Sequence, residues 1–201
     1  MKIHDKIEQG TDEWKRVRAG KLTASSAQAI GTNGKGLETL VYETLAEKYS
    51  SSTEDTFSNA HTERGKELEE TAIAMYELER GIQVRRVGFI ERDAFSGCSP
   101  DGLVGENGGV EVKCHSDVKH FGIMVDGLES VDTKHLWQVQ MSLLVTGRAW
   151  WDLICYNPNF QKNLVIFRIL PDEEMQKKLL TGLVAGKKMI QGVEKKMAAA
   201  A

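Results

Sequence analysis

Cysteine is scarce in this 201-residue chain: Cys98, Cys114 and Cys155 are scattered without a CxxC pair. That leaves too few thiolates for a four-cysteine iron–sulfur cluster and argues against a zinc site, and it suits the reduced thiols of a cytosolic protein. Long apolar runs are missing as well. No stretch approaches the roughly 18 residues of a membrane span, and Met1-Lys2-Ile3-His4-Asp5 lacks the apolar core of a secretion signal. We therefore expect a soluble, cytoplasmic protein with no membrane partner. Nor is there an excess of positive charge, since 26 Lys and Arg face 29 Asp and Glu for a formal net charge of −3. The Gly31–Gly36 loop lacks the GxxxxGK[ST] spacing of a phosphate-binding P-loop, and no internal repeat is present.

What the chain does have is material for one core. With 41% hydrophobic residues, a chain of this length needs neither disulfide nor metal to fold. We expect a single domain over 1–201, with its core at about 11–170 and a C-terminal helix at about 172–197. Helices and strands alternate. Residues 11–19 read as a helix capped by Thr11, and Thr23 or Ser25 is expected to cap a second, short helix ending at Ile30. Residues 37–49 and 60–80 read as helices, the latter stopped by Gly81, with the polar stretch 50–59 as a loop between them. Strands are expected at 82–91, 94–98, 102–104 and 110–114. A helix at 133–145, strands at 149–156 and 164–170, and a last helix from Asp172 complete the chain.

The densest chemistry lies in Ser99-Pro100-Asp101-Gly102 and Gly109-Val110-Glu111-Val112-Lys113. On a strand Glu111 and Lys113 share one face, and the apolar Val110 and Val112 share the other. Gly105, Asn107 and Gly108 read as a tight turn that brings a second short strand alongside, carrying Asp101 to Glu111. Pro100 fixes the backbone directly before the acid. Two carboxylates and an ammonium then converge, which is what metal-assisted phosphodiester hydrolysis requires: oxygen ligands for a hard divalent cation and a positive group beside the attacking water. A solvated hairpin with a cross-face Glu–Lys pair is the plainer alternative for these residues alone.

Further motifs occur in a fixed order: Trp14-Lys15-Arg16-Val17-Arg18 with Thr23-Ala24-Ser25, then Gly65-Lys66-x-x-Glu69, Cys98-Ser99-Pro100-Asp101-Gly102, Glu111-Val112-Lys113-Cys114 and Gln138-Val139-Gln140. Together, from about residue 14 to 158, they resemble bacteriophage lambda exonuclease and the YqaJ-type viral recombinase nucleases, a branch of the PD-(D/E)xK superfamily. The resemblance implies an α/β restriction-endonuclease-like core, a central mixed β-sheet flanked by helices. It implies Mg2+ as cofactor, with Mn2+ as a substitute, held in a two-metal arrangement by Asp101, Glu111, the Val112 carbonyl and Glu69. Lys113 and Gln138 would act on the water, and Arg18 and Ser25 would grip the 5′-phosphate. Residues two apart on a helix face different ways, so only one of Gln138 and Gln140 can reach the site.

The activity implied is a 5′-to-3′ exonuclease on double-stranded DNA ends that leaves 3′ overhangs for phage-type recombination. A ring-shaped homotrimer and a phage single-strand annealing protein as partner are implied too. Basic clusters at Lys15-Arg16-Arg18-Lys21, Arg85-Arg86 and Lys119-His120, against acids at Glu63-Glu67-Glu69-Glu70, suggest a surface acidic outside and basic where DNA lies. Where relatives place an apolar wedge before the Gly-Lys motif, this chain has His61-Thr62-Glu63, leaving Leu37 and Phe57 as substitutes. An endonuclease of the same superfamily would use the same acids and lysine. A non-catalytic DNA-end-binding recombination factor is the alternative from another class.

Overall fold

The computed structural model describes residues 1–50 and 60–200, with the side chains of 60–64 and 66 outside the description. Phe57, the rest of the expected loop 51–59 and the side chains of His61, Thr62 and Glu63 therefore lie outside the described residues. The chain opens with strand β1 (Lys2–His4) and helix α1 (Asp12–Arg18). Thr11 caps α1 as expected, accepting a hydrogen bond from the Trp14 N–H and so satisfying one of the orphan donors of a helix start. β2 (Leu22–Thr23) leads through a 3-10 turn at Ala24–Ser26 into α2 (Ala27–Thr32). Neither Thr23 nor Ser25 caps that segment. Their hydroxyls bond each other at 3.1 Å, and Thr23 also accepts from Arg18, so both are committed to side chains.

α3 (Lys35–Tyr49) and α4 (Ala60–Arg80) follow, and Gly81 ends α4 at φ +64°, a conformation glycine adopts without strain. The single strand expected at 82–91 is two strands, β3 (Val84–Arg85) and β4 (Phe89–Asp93), in different sheets. Period-two patterning cannot distinguish one strand from two collinear ones that leave for different partners. Next come β5 (Ser96–Cys98), β6 (Gly102–Val104), β7 (Gly108–Cys114), α5 (Asp117–Asp126), a 3-10 turn at Gly127–Ser130, α6 (Thr133–Thr146), β8 (Trp150–Tyr156), β9 (Leu164–Ile169) and α7 (Glu173–Ala200).

Two mixed sheets result, in the orders β1-β4-β5-β2 and β3-β6-β7-β8-β9. The second is antiparallel except where β7 pairs with β8; that parallel step needs a crossover, supplied by α5 and α6. Both faces of β7–β8 are covered. Val110, Val112, Ile154 and Tyr156 pack with Ala72, Ile73 and Tyr76 of α4. Trp151, Leu153 and Cys155 join the larger core on the other side with Ile30, Leu37, Val139, Leu143 and Leu183. Each fully buried aliphatic side chain there contributes on the order of 1.5–3 kcal/mol. Leu37 is fully buried, which corrects its expected availability as a strand-splitting wedge. α7 lies so close to α2 that a Cβ on Gly182 would strike the Ile30 carbonyl.

Candidate active site

The β6–β7 hairpin turns at Gly105, φ +50°, and its register pairs Gly102 with Val110, which sets Asp101 beside Glu111. Asp101 Oδ2 accepts a 2.6 Å bond from the Val112 N–H. Glu111, 2% exposed, accepts two charge-tuned bonds on Oε1: 2.7 Å from Lys113 Nζ and 2.6 Å from Gln138 Nε2. Strand alternation thus places Glu111 and Lys113 on one face, and α6 presents Gln138 to it. Gln140 turns away, donating to the Leu170 carbonyl and accepting from the Asp172 N–H. Glu111 Oε2 is buried and has no hydrogen-bond partner among the described residues.

The electrostatics are those of two acids sharing one ammonium. Burial, then the Glu111 and Glu69 charges, hold the Asp101 carboxyl well above its ordinary range. Burial also raises Glu111, against the pull of Lys113. For Lys113 burial acts downward, but Glu111, Asp101 and Glu69 outweigh it and the net direction is up. The lysine therefore carries its proton at neutral pH, and the raised carboxyls mark a crowding of buried acids that a cation would relieve.

Glu69 acts on this pair through its charge, with no hydrogen bond to either among those described. α4 packs on the Val110–Val112 face of β7, opposite to the face bearing Glu111, and Glu69 Oε1 is taken at 2.7 Å by Arg86 Nη2. Arg86 Nη1 donates 2.8 Å to the Asp101 carbonyl, so this arginine is not a free member of a basic patch. Among the described residues no three His, Cys, Asp or Glu side chains converge as a ready-made metal cage. The donors nonetheless fit a hard divalent ion: a buried carboxylate oxygen without a partner, a neighbouring carboxylate and a main-chain carbonyl, with water free to complete the shell.

Arg18 and Ser25 are brought together through Thr23, whose hydroxyl accepts from Arg18 Nη2 at 3.3 Å. The Arg18 guanidinium lies 4.0 Å above the Trp14 ring; its Nε is buried and unpaired among the described residues. Burial lowers its pKa, and an anion would offset that cost. Trp14 Nε1–H donates to the Gly88 carbonyl and to Ser99 Oγ, each at 3.0 Å, joining the Arg18 pocket to the Ser-Pro-Asp corner. Sequence reasoning placed Arg86 only in a basic cluster, and it missed the bridging part of Trp14 and a His115–His135 pair with ring centroids 6.2 Å apart. His115 directly follows β7, in step with the Glu111–Lys113 alternation, and His135 lies one turn before Gln138, so period two and period 3.6 held the only signal for them.

Known proteins share this fold. The chain is similar to the crystal structure of an alkaline exonuclease, LHK-Exo, from Laribacter hongkongensis, with 30% identity over 95% of this chain and 100% of that one and a TM-score of 0.79. The same exonuclease in complex with dAMP matches with 31% identity, the same coverage and the same TM-score. A phage related exonuclease from Haemophilus somnus 129PT, 16% identical over 91% of this chain and 99% of that one with a TM-score of 0.70, shares the fold. No curated protein matches by sequence. The family model of the YqaJ-like viral recombinase domain matches residues 13–149, a span that runs from Trp14 through the Asp101–Glu111–Lys113 cluster to Gln138, and the chain belongs to that family.

Proposed function

We propose that this protein is a Mg2+-dependent exonuclease, with Mn2+ as a substitute, that degrades one strand of duplex DNA from its 5′ end and leaves a 3′ overhang for recombination. The observation that carries this reading is Glu111: a buried carboxylate with one oxygen held by Lys113 and Gln138 and the other without a partner, next to Asp101. Asp101, Glu111 and the Val112 carbonyl would hold the ion, with Glu69 as a further ligand. When bound, the metal acts as a Lewis acid on the phosphate and lowers the pKa of a coordinated water. The chain's own groups then have distinct tasks. Lys113 keeps its proton on Nζ, orients Glu111 and meets the charge that grows on the phosphate. Gln138 fixes the same Glu111 oxygen and so the direction of the other.

Arg18 and Ser25 support the 5′ direction, because a guanidinium and a hydroxyl beside one another suit a terminal phosphate. The dAMP bound to the Laribacter exonuclease is a nucleoside monophosphate, the product class expected here. A homotrimeric ring in the cytoplasm, working with a phage single-strand annealing protein, completes the reading. Its mass in solution by light scattering would be three chains of 22.4 kDa. One gel tests the activity: linear and closed circular plasmid, each with and without magnesium. Loss of linear DNA alone, and only with magnesium, is the expected result. Cleavage of the circle would identify an endonuclease, and no cleavage of either would leave a DNA-end-binding factor.

A further inference from the structure

Residues 86–88, where the chain crosses from one sheet to the other, are tied to the corner 99–101 by three side chains that each make two bonds. Trp14 bridges the Gly88 carbonyl and Ser99 Oγ. Gln9 Nε2 donates 3.1 Å to the Val87 carbonyl and 2.8 Å to the Pro100 carbonyl. Arg86 bridges the Asp101 carbonyl and the Glu69 carboxylate. Each residue of the corner is thus held by one side chain from elsewhere, and Arg86 is the member that also reaches a side chain of α4. A cleft of about 400 Å3 opens beside it, lined by Asp5, Glu8, Gln9, Glu69 and Glu70 among others.

We propose that Arg86 is a positioning residue for the metal site, whose planar fork fixes Glu69 relative to the Asp101 backbone. The inference rests on Glu69 serving as a metal ligand. A partly exposed ion pair contributes little to fold stability; with side chains 50% and 27% exposed, this pair has a different consequence. The rigid five-donor guanidinium dictates where each acceptor sits, and α4 approaches from the opposite face of β7, so Glu69 has no other hydrogen-bonded tie to the corner among those described. Arg86 contributes geometry at the cost of one added positive charge, which its exposure to solvent screens.

Calorimetric titration of Mn2+ into the DNA-free protein tests this, alongside duplex-end binding measured in chelator over a range of salt. Arg86→Ala and Glu69→Ala should each bind the ion about tenfold more weakly, the usual effect of removing a group that orients a ligand. Arg86→Lys, which keeps the charge and loses the fork, should stay near the alanine variant. The double variant should be no weaker than Glu69→Ala alone, because Arg86 acts through Glu69. End binding and its salt slope should not change. Unchanged or tighter metal binding in Arg86→Ala, with Glu69→Ala impaired, overturns the inference and leaves the ligand reading intact. Weaker end binding with a shallower salt slope overturns it in favour of a phosphate contact. No loss of metal affinity in Glu69→Ala removes Glu69 as a ligand, and the inference with it.

Discussion

At the scale of single residues, chemistry local to one strand was legible and chemistry across the molecule was not. Asp101, Glu111 and Lys113 follow from a turn and a period of two; Arg86 meets Glu69 seventeen positions away, a distance no local pattern encodes. Lys113→Ala should lower turnover by about 100-fold or more while duplex-end binding survives, since the ammonium is bonded to Glu111 and its task lies in the chemical step. More than a tenth of the parent rate would count against its role. The histidines carry a second prediction. Burial, aided by neighbouring positive charge, lowers His115 and His135 from 6.5 to about 4. They stay neutral in the fold while the unfolded chain takes up protons, so the stability they contribute is present above pH 6.5 and is lost as pH falls toward 4. Asp101 and Glu111, raised in the fold, act in the opposite sense in the metal-free protein. Replacing both histidines with glutamine should flatten the acid limb of a melting-temperature profile between those pH values; an unaltered limb would assign it to other groups.

At the scale of elements, capping and breaking residues located helices well. Thr11 and Gly81 did what their chemistry suggests. α5 escaped notice because its apolar Val118, Phe121 and Val125 face solvent, whereas His120 and Ile123 are buried. The apparent basic pair Lys119-His120 was therefore misleading: His120 lies beneath the surface against the Lys162 carbonyl and the Phe160 ring. Nothing in the sequence marks Gly182 as different from Gly192, yet both sit on α7. The first has the Ile30 carbonyl where a Cβ would go and the second has open space. Gly182→Ala should cost about 1–3 kcal/mol by forcing α7 from α2, and Gly192→Ala should stabilise by up to about 1 kcal/mol. Denaturant unfolding of the two variants checks both, and equal effects would mean that α7 is free to shift.

For the whole molecule, a formal net charge of −3 does not by itself point to a surface for DNA. If Arg18 and Ser25 grip a terminal phosphate, duplex with a 5′-phosphate should be digested about 10 to 150-fold faster than the same duplex with a 5′-hydroxyl, the worth of one charge-assisted contact. Arg18→Ala should erase the difference; equal slowing on both substrates would make Arg18 a support of the fold. The placement of Trp14 has an optical consequence. Of the four tryptophans, Trp137 and Trp151 are buried and Trp150 lies beneath Arg168, which leaves Trp14 as the indole whose face and edge both belong to the candidate site. Its fluorescence should therefore shift when a phosphorylated end displaces the guanidinium above it, so that the protein signals the arrival of its substrate before any bond is cut and without an added dye.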